Sequence, residues 1–344
     1  MKTLDINAKA SCDGIFGLPF TEKEALVVYL PIPWDVTTSY GSGAHKGPHA
    51  ILQASWQLDL FDFDFPSAYT AGLFMRKIPA KILEMNRLGR SVAKKIIDAP
   101  EEKIEKSKVL QNALKKVNEL SQKVDEFVYK ETKSLLEKNK IPVLVGGDHS
   151  TPFGAIKAYA EKYPDMGILH FDAHSDTRKA FMGFEGSHAS ILYNVSQKIP
   201  SIKKIVQVGI RDFCEEEFKY IRKNKKFKVF FDHYLQEEKI EGAKFEHVAK
   251  KIVQELPKDV YVTIDIDALD PRYCPNTGTP VPGGLDLLEL IYIIKTLVKK
   301  GHRIVGFDMV EVAPGKNDEW DANVGMRLLY KMTSFMLLSQ KNTN

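Results

Sequence analysis

The chain has few cysteines and no long hydrophobic run. Three of its 344 residues are cysteine, at positions 12, 214 and 274, and their spacing shows no pairing pattern. Sparse cysteines are typical of proteins from reducing compartments. No apolar stretch reaches the roughly 18 residues that a membrane-spanning helix needs, and Met1–Ala10 lacks the apolar core of a signal peptide. We therefore expect a cytoplasmic protein with no membrane partner.

A large excess of charge of one sign is also absent. Lys and Arg number 49 and Asp and Glu number 45, which gives a net charge of +4 spread along the chain. The densest basic stretch, residues 222–228, is typical of a solvated surface, so no nucleic-acid partner is predicted. A chain of 344 residues that is 44% apolar is suited to a single large domain spanning residues 1–344.

Short apolar segments alternate with helical ones after residue 141. The predicted strands are 25–30, 141–145, 166–172, 204–209, 227–231, 260–265 and 303–308. Such alternation predicts an α/β fold with three layers, in which helices cover both faces of a central parallel sheet. Residues 101–139 contain no Gly or Pro and have helical apolar spacing, which predicts one long helix or a broken pair. We interpret about 76–139 as a helical, inserted segment.

The pentapeptide DAHSD at 172–176 follows one of these predicted strands. Because side chains alternate along a strand, positions 172, 174 and 176 point to the same side. Two carboxylates and an imidazole on one side of a buried strand end are costly unless another group compensates them. We infer that a divalent metal, and in fact a pair, is the compensating group.

Two further predicted strands end in groups of the same kind. Asp265 and Asp267 share a face at the end of the strand at 260–265, and His149 follows the strand at 141–145 through two glycines. The three strand ends supply four aspartates and two histidines, enough for two ions that share carboxylates. Oxygen-rich ligands favour Mn²⁺ over a structural zinc. Taken singly, each motif has the alternative interpretation of a turn or a helix cap.

Three segments resemble, in this order, motifs of the arginase/agmatinase family of ureohydrolases: GGDHS at 146–150, FDAHSD at 171–176 and DIDALDP at 265–271. The resemblance extends to PIPWDVTTSYGSGAHKGPHAI near the N-terminus, NTGTPVPGGL at 276–285 and FDMVEVAP at 307–314. It covers most of residues 27–335. It implies an arginase-like fold, two Mn²⁺ per chain, a small cationic guanidino substrate, and a homo-oligomer that is a trimer or hexamer.

The resemblance also implies roles for single residues. One ion would be held by His149, Asp172, Asp176 and Asp265, and the other by Asp172, His174, Asp265 and Asp267. A water molecule activated between the ions would attack the guanidinium carbon, and urea and an amine would leave.

Two residues outside the ligand set resemble catalytic residues of the family. Glu311, at the end of the strand at 303–308, would orient the guanidinium, with a surface salt bridge as the alternative. His188, a dozen residues after DAHSD, would pass a proton to the leaving amine, with an ordinary loop histidine as the alternative. We interpret the remaining histidines, His45 and His170 among them, as structural or surface residues.

Two departures from the arginase pattern affect the substrate. Arg178 replaces an Asn, and Cys214 replaces an acidic residue that would meet an α-amino group. Both departures count against L-arginine as the substrate. They favour agmatine, whose tail has no α-carboxylate for the protein to bind. Alternatively, Arg178 binds the carboxylate of a guanidino acid or of formiminoglutamate, or it forms an outward surface ion pair. A metal-binding scaffold without turnover is the alternative of another class.

Overall fold

The computed structural model describes residues 12–341, so the predicted absence of a signal peptide at Met1–Ala10 falls outside it. The strands are β1 (Val27–Pro31), β2 (Leu73–Met75), β3 (Ile141–Val145), β4 (Gly167–Phe171), β5 (Lys204–Ile210), β6 (Phe227–Phe231), β7 (Asp259–Asp265) and β8 (Arg303–Val310). They form one sheet in the order β2-β1-β3-β8-β7-β4-β5-β6. Every pairing is parallel, as predicted.

Helices connect the strands and cover the sheet. Within residues 12–341 the α-helices are α1 (Gly47–Ala54), α2 (Ala80–Ile97), α3 (Glu101–Lys106), α4 (Lys108–Glu137), α5 (Phe153–Lys162), α6 (Ile191–Lys198), α7 (Glu215–Lys223), α8 (Asp232–Ile240), α9 (Phe245–Val253), α10 (Leu287–Lys299) and α11 (Trp320–Lys341). None of these helices is both long enough and apolar enough to cross a bilayer.

The strands bury side chains on both faces of the sheet. In β4, Leu169 and Phe171 belong to the core that contains the buried sides of α9, α10 and α11. Ile168, which precedes Leu169 and points to the opposite face, packs instead into the core that includes α5 and α6. Alternation along a strand that is buried on both faces requires a helical layer on each side. The predicted three-layer architecture is therefore confirmed.

The predicted strands are all present, with ends that differ by a residue or two. The edge strand β2 was not predicted, because a three-residue strand is too short for a periodic pattern to register. The long helical segment is a broken pair, since α3 ends at Lys106 and α4 begins at Lys108. Ser107 lies at the break, where its Oγ accepts a hydrogen bond from the backbone N–H of Leu110 and caps α4.

The strands that carry the predicted ligands are neighbours. β3, β8, β7 and β4 are adjacent in the sheet, and because the sheet is parallel their carboxyl ends lie along one edge. The junction between β3 and β8 is narrow: only Leu144 pairs with Asp308 and Val145 with Met309, whereas β7 pairs with β8 along its whole length. This junction lies directly below the predicted site.

Candidate metal centre

The carboxyl ends of β3, β4 and β7 bring the predicted ligands together. Asp172 follows β4 directly and is fully buried, Asp265 is the last residue of β7, and His149 lies in the loop after β3. Nδ1 of His149 lies 2.9, 3.2 and 3.5 Å from carboxylate oxygens of Asp172, Asp176 and Asp265. Residues from distant parts of the chain therefore form one buried cluster.

The other ring nitrogen of His149 is held by Thr263. His149 Nε2 lies 3.0 Å from Thr263 Oγ1, and the Thr263 hydroxyl donates its proton to Asp308 Oδ1 at 2.8 Å. Since that proton is used, Thr263 Oγ1 accepts the Nε2–H of His149. The lone pair of Nδ1 then faces the three carboxylates, which is the tautomer that a metal ligand requires.

A second group of ligand atoms shares Asp172 with the first. His174 Nδ1 lies 3.4 Å from Asp172 Oδ1 and 3.1 Å from Asp267 Oδ2. Asp267 is buried, and among residues 12–341 its Oδ2 has no partner besides the nearby His174 ring nitrogen. A buried carboxylate oxygen without a donor is expensive. The donor set, four aspartates and two histidines around a shared carboxylate, fits a pair of divalent ions.

The electrostatics of the cluster also fit cations. Burial and the nearby carboxylates of Asp267 and Asp172 raise the pKa of Asp265 well above its usual value, and burial and Asp172 raise the pKa of Asp176 to about 7. Burial also opposes ionisation of Asp172, but the neighbouring His170 and His149 outweigh it and hold its pKa well below normal. Divalent ions would relieve the mutual repulsion of these carboxylates.

Two residues of the site have a left-handed backbone. The φ angle is 53° at Asp176 and 61° at Glu311, a conformation that costs on the order of 1 kcal/mol for a residue other than glycine. At Glu311 the cost is offset by hydrogen bonds on three sides. Its N–H donates to the Gly147 carbonyl, its carbonyl accepts from Thr277 Oγ1, and Oε1 accepts from the His149 N–H.

His170 supports Asp172 from below, a role that the sequence analysis did not assign. Its Nε2 lies 2.9 Å from Asp172 Oδ2, and its Nδ1 lies 3.0 Å from Nε2 of Gln207. Because the Gln207 amide donates to Nδ1, His170 carries its proton on Nε2 and donates it to Asp172. His170 is therefore an orienting group rather than a ligand. Its position two residues before Asp172, on the same side of β4, was the available signal.

A cleft of about 150 Å³ opens beside the cluster. Its lining includes His174, Asp176, Arg178, Phe181, His188, Asp212 and Glu217. Burial and the nearby His174 and His149 lower the pKa of His188 to about 3, so this imidazole is neutral at pH 7. Glu311 is buried next to His149 and does not belong to this lining.

Arg178 lines the cleft and is at the same time held by the protein. Its Nε lies 3.5 Å from Glu217 Oε2, and its guanidinium lies 4.8 Å from the centre of the Phe181 ring. Glu217 is buried and also accepts the backbone N–H groups of Thr177 and Cys214, at 3.0 and 3.1 Å. Arg178 is thus part of the cleft wall, with its charge partly neutralised.

Comparisons with known proteins agree with this geometry. The model of the arginase family matches residues 25–334. An agmatinase of Bacillus subtilis is 30% identical over 325 residues, which cover 90% of this chain and 91% of that protein. An N(1)-aminopropylagmatine ureohydrolase of Thermus thermophilus is 30% identical over 293 residues, or 85% of this chain and 84% of that protein. The crystal structure of the agmatine ureohydrolase of Thermoplasma volcanium has the same fold, with a TM-score of 0.71, 23% identity and 96% of both chains covered.

Proposed function

The chain belongs to the arginase family of hydrolases that act on guanidino compounds, and on this premise we propose that it hydrolyses agmatine to putrescine and urea. The observation that carries the proposal is that Asp172 is shared by two groups of potential ligand atoms, one with His149, His170 and Asp176 and the other with His174 and Asp267. Two divalent ions that shared this carboxylate would be suited to activating water for attack on a poor electrophile.

The proposed ligands are those that the family resemblance implies. His149, Asp172, Asp176 and Asp265 would hold one ion, and Asp172, His174, Asp265 and Asp267 the other. Four carboxylates and two imidazoles favour Mn²⁺. When bound, the ions supply a nucleophile at neutral pH, because they lower the pKa of a coordinated water.

Glu311 and His188 have separate proposed roles. Oε1 of Glu311 is engaged by the His149 N–H, so Oε2 is the oxygen proposed to bind the guanidinium and orient its carbon. His188 lines the cleft beside His174 and is neutral at pH 7. It would take up at Nε2 a proton released by the attacking water and give it to the leaving amine, which otherwise departs as an unstable anion.

The charges of the cleft support a substrate that has a cationic tail, as agmatine does. Arg178 is paired with Glu217, while the Asp212 carboxylate is 66% exposed and lies 3.8 Å from His174 Nε2. An ammonium group would find an acidic partner in Asp212 and little free positive charge. The two similar proteins described above are both named for substrates of this kind, agmatine and N(1)-aminopropylagmatine.

Other properties follow from family membership as proposals. We propose one ureohydrolase domain, a cytoplasmic location, and a homo-oligomer that is a trimer or hexamer. The oligomer is tested by light scattering of the purified protein, and a monomer would contradict it.

The function is tested by urea release from the Mn²⁺-loaded protein, with Asp172→Ala as the control. The substrates are agmatine, N(1)-aminopropylagmatine, L-arginine and guanidinobutyrate, with formamide release measured from formiminoglutamate. Turnover of agmatine well above the others supports the proposal. Preference for guanidinobutyrate or formiminoglutamate would contradict the proposal that the substrate has a cationic tail. It would indicate instead that Arg178 binds the carboxylate of the substrate. Two bound ions without turnover of any substrate would favour the scaffold alternative.

A further inference from the structure

Helix α2 packs against the loop that follows β1, and the contacts are specific. Asn86 Oδ1 accepts the backbone N–H of Asp35 at 2.8 Å, and Asn86 Nδ2 donates to Asp35 Oδ1 at 3.1 Å. One turn further on, a Cβ added to Gly89 would lie 2.8 Å from a methyl group of Val36. The lack of a side chain at Gly89 is what lets the loop approach the helix so closely.

Arg90 completes this face of α2. Its Nη1 donates to the carbonyl of Val36 at 3.1 Å and also to the carbonyl of Thr38. These carbonyls belong to the two residues on either side of Thr37. One guanidinium nitrogen therefore fixes the peptide groups that determine where the Thr37 side chain points.

Thr37 is fully buried and its hydroxyl reaches His188. Oγ1 accepts the backbone N–H of His188 at 3.3 Å and lies 3.4 Å from His188 Nδ1. Ser187 Oγ is also 3.4 Å from the same ring nitrogen. These contacts engage Nδ1 of the imidazole and leave Nε2 for the reaction.

A hydroxyl is suited to a histidine that changes its protonation state. Beside neutral His188, Thr37 Oγ1 accepts the Nδ1–H, so the lone pair of Nε2 faces the cleft and can take up a proton. Beside the imidazolium, the same oxygen accepts from Nδ1–H. An aliphatic side chain at position 37 could do neither.

We infer that α2 is a clamp for the proton-transferring histidine, in which Arg90 and Thr37 are positioning residues: Arg90 fixes the loop, and Thr37 fixes the ring and tautomer of His188. The inference rests on the role proposed for His188. The helical segment at 76–139 would then contribute to the reaction through α2, in addition to packing against the sheet.

Thr37→Val removes the hydroxyl at constant shape, Thr37→Ser restores it, and Thr38→Val is a matched control. The Thr38 hydroxyl donates to the Asp35 carbonyl and does not reach His188. We expect Thr37→Val to lose about 10-fold in kcat for agmatine, a fraction of what general acid catalysis supplies, with KM and metal content unchanged. Thr37→Ser and Thr38→Val should stay near the wild type. A Thr37→Val enzyme within twofold of the wild type would overturn the clamp.

Arg90→Met tests the other half of the clamp, with Arg87→Met on the exposed side of the same helix as its control. We expect Arg90→Met to lower kcat, Arg87→Met to leave it unchanged, and the double variant Thr37→Val/Arg90→Met to be no slower than the worse single variant. Losses that simply multiply would show that the two residues act independently and would contradict the clamp.

A measurement independent of turnover separates this inference from the proposed function. In protein labelled with ¹⁵N-histidine and loaded with diamagnetic Zn²⁺, the ring shifts of His188 are assigned by comparison with His188→Asn. We expect the Nδ1–H tautomer in the wild type and Thr37→Ser, and a mixture in Thr37→Val. If no substrate is turned over but the tautomer responds, only the proposed function fails. If agmatine is hydrolysed but the tautomer does not respond, only the clamp fails.

Discussion

The backbone N–H of His149 donates a 2.9 Å hydrogen bond to Oε1 of Glu311. In return, the N–H of Glu311 donates to the carbonyl of Gly147 at 2.7 Å. The two bonds join the loop after β3 to the end of β8, directly above the narrow junction between those strands. The proposed metal ligand and the proposed guanidinium partner therefore cannot move independently.

This coupling predicts different outcomes for two substitutions of Glu311. Glu311→Gln keeps an oxygen for the His149 N–H but loses the charge, so we expect normal metal content and a loss of about 100-fold or more in kcat/KM. Glu311→Ala also removes the acceptor, so the His149 loop loosens and metal affinity should fall. Elemental analysis of the dialysed proteins, paired with urea release, checks both, and equal metal loss in the two variants would contradict the argument.

Asp172 is shared by both ligand groups, whereas Asp267 belongs to one. We expect Asp172→Asn to retain much less than one ion per chain after dialysis, and Asp267→Asn to retain about one, because a lost metal ligand weakens only the ion that it contacts. Mass spectrometry of the metals at a fixed protein concentration gives the stoichiometry. Two ions in Asp172→Asn would show that the carboxylate is not shared.

The pairing of Arg178 with Glu217 predicts a change of specificity. Glu217→Gln keeps the size of the side chain, and its amide oxygen can still accept the Thr177 N–H that Oε1 accepts, although the Cys214 N–H loses its Oε2 acceptor. The substitution removes the negative charge beside Arg178, whose guanidinium becomes available to a substrate carboxylate. We expect the ratio of kcat/KM for guanidinobutyrate to that for agmatine to rise about tenfold. The rise should disappear in Glu217→Gln/Arg178→Gln, and a ratio that persists there would exclude Arg178 as its cause.

Asp35 predicts a pH-dependent contribution to stability. Burial raises its pKa, but His45, the Gly43 N–H and Asn86 outweigh that effect and lower the pKa to about 2. A pKa that is lower in the folded than in the unfolded chain stabilises the fold above about pH 4, and the stabilisation is lost as the pH falls toward 2. We expect Asp35→Asn to lower the free energy of unfolding by about 2 kcal/mol at pH 7, from the size of the shift.

The experiment is urea denaturation of the wild type and Asp35→Asn between pH 3 and pH 7. The difference between the two should narrow as the pH falls below 4. A difference that grows toward acid pH would mean that the shift has the opposite sign.

The sequence predicted the sheet and the ligand cluster because both depend on local patterns. Apolar runs that end in DAHSD or DID identify strands and place their carboxylates on one side, and a parallel sheet then brings the ends together. The contacts of His170 and Thr37 were not predictable in this way. Thr37 meets His188 across 151 positions of the chain, and only the packing of α2 against the loop brings them together. The tautomers of His149 and His170 likewise depend on Thr263 and Gln207, which no motif marks.

The narrow junction between β3 and β8 has a mechanical consequence. Two paired residues of the strand ladder, together with the hydrogen bonds of Gly146 to Met309 and of Glu311 to Gly147 just beyond them, join the β2-β1-β3 part of the sheet to the remaining strands. The proposed ligands come from both parts, His149 from one and Asp172, Asp265 and Asp267 from the other. Bound ions would link the two parts of the sheet across this junction. The two parts of the sheet should then unfold together when the ions are bound. After chelation of the ions, β3 and β8 should separate before the rest of the sheet unfolds.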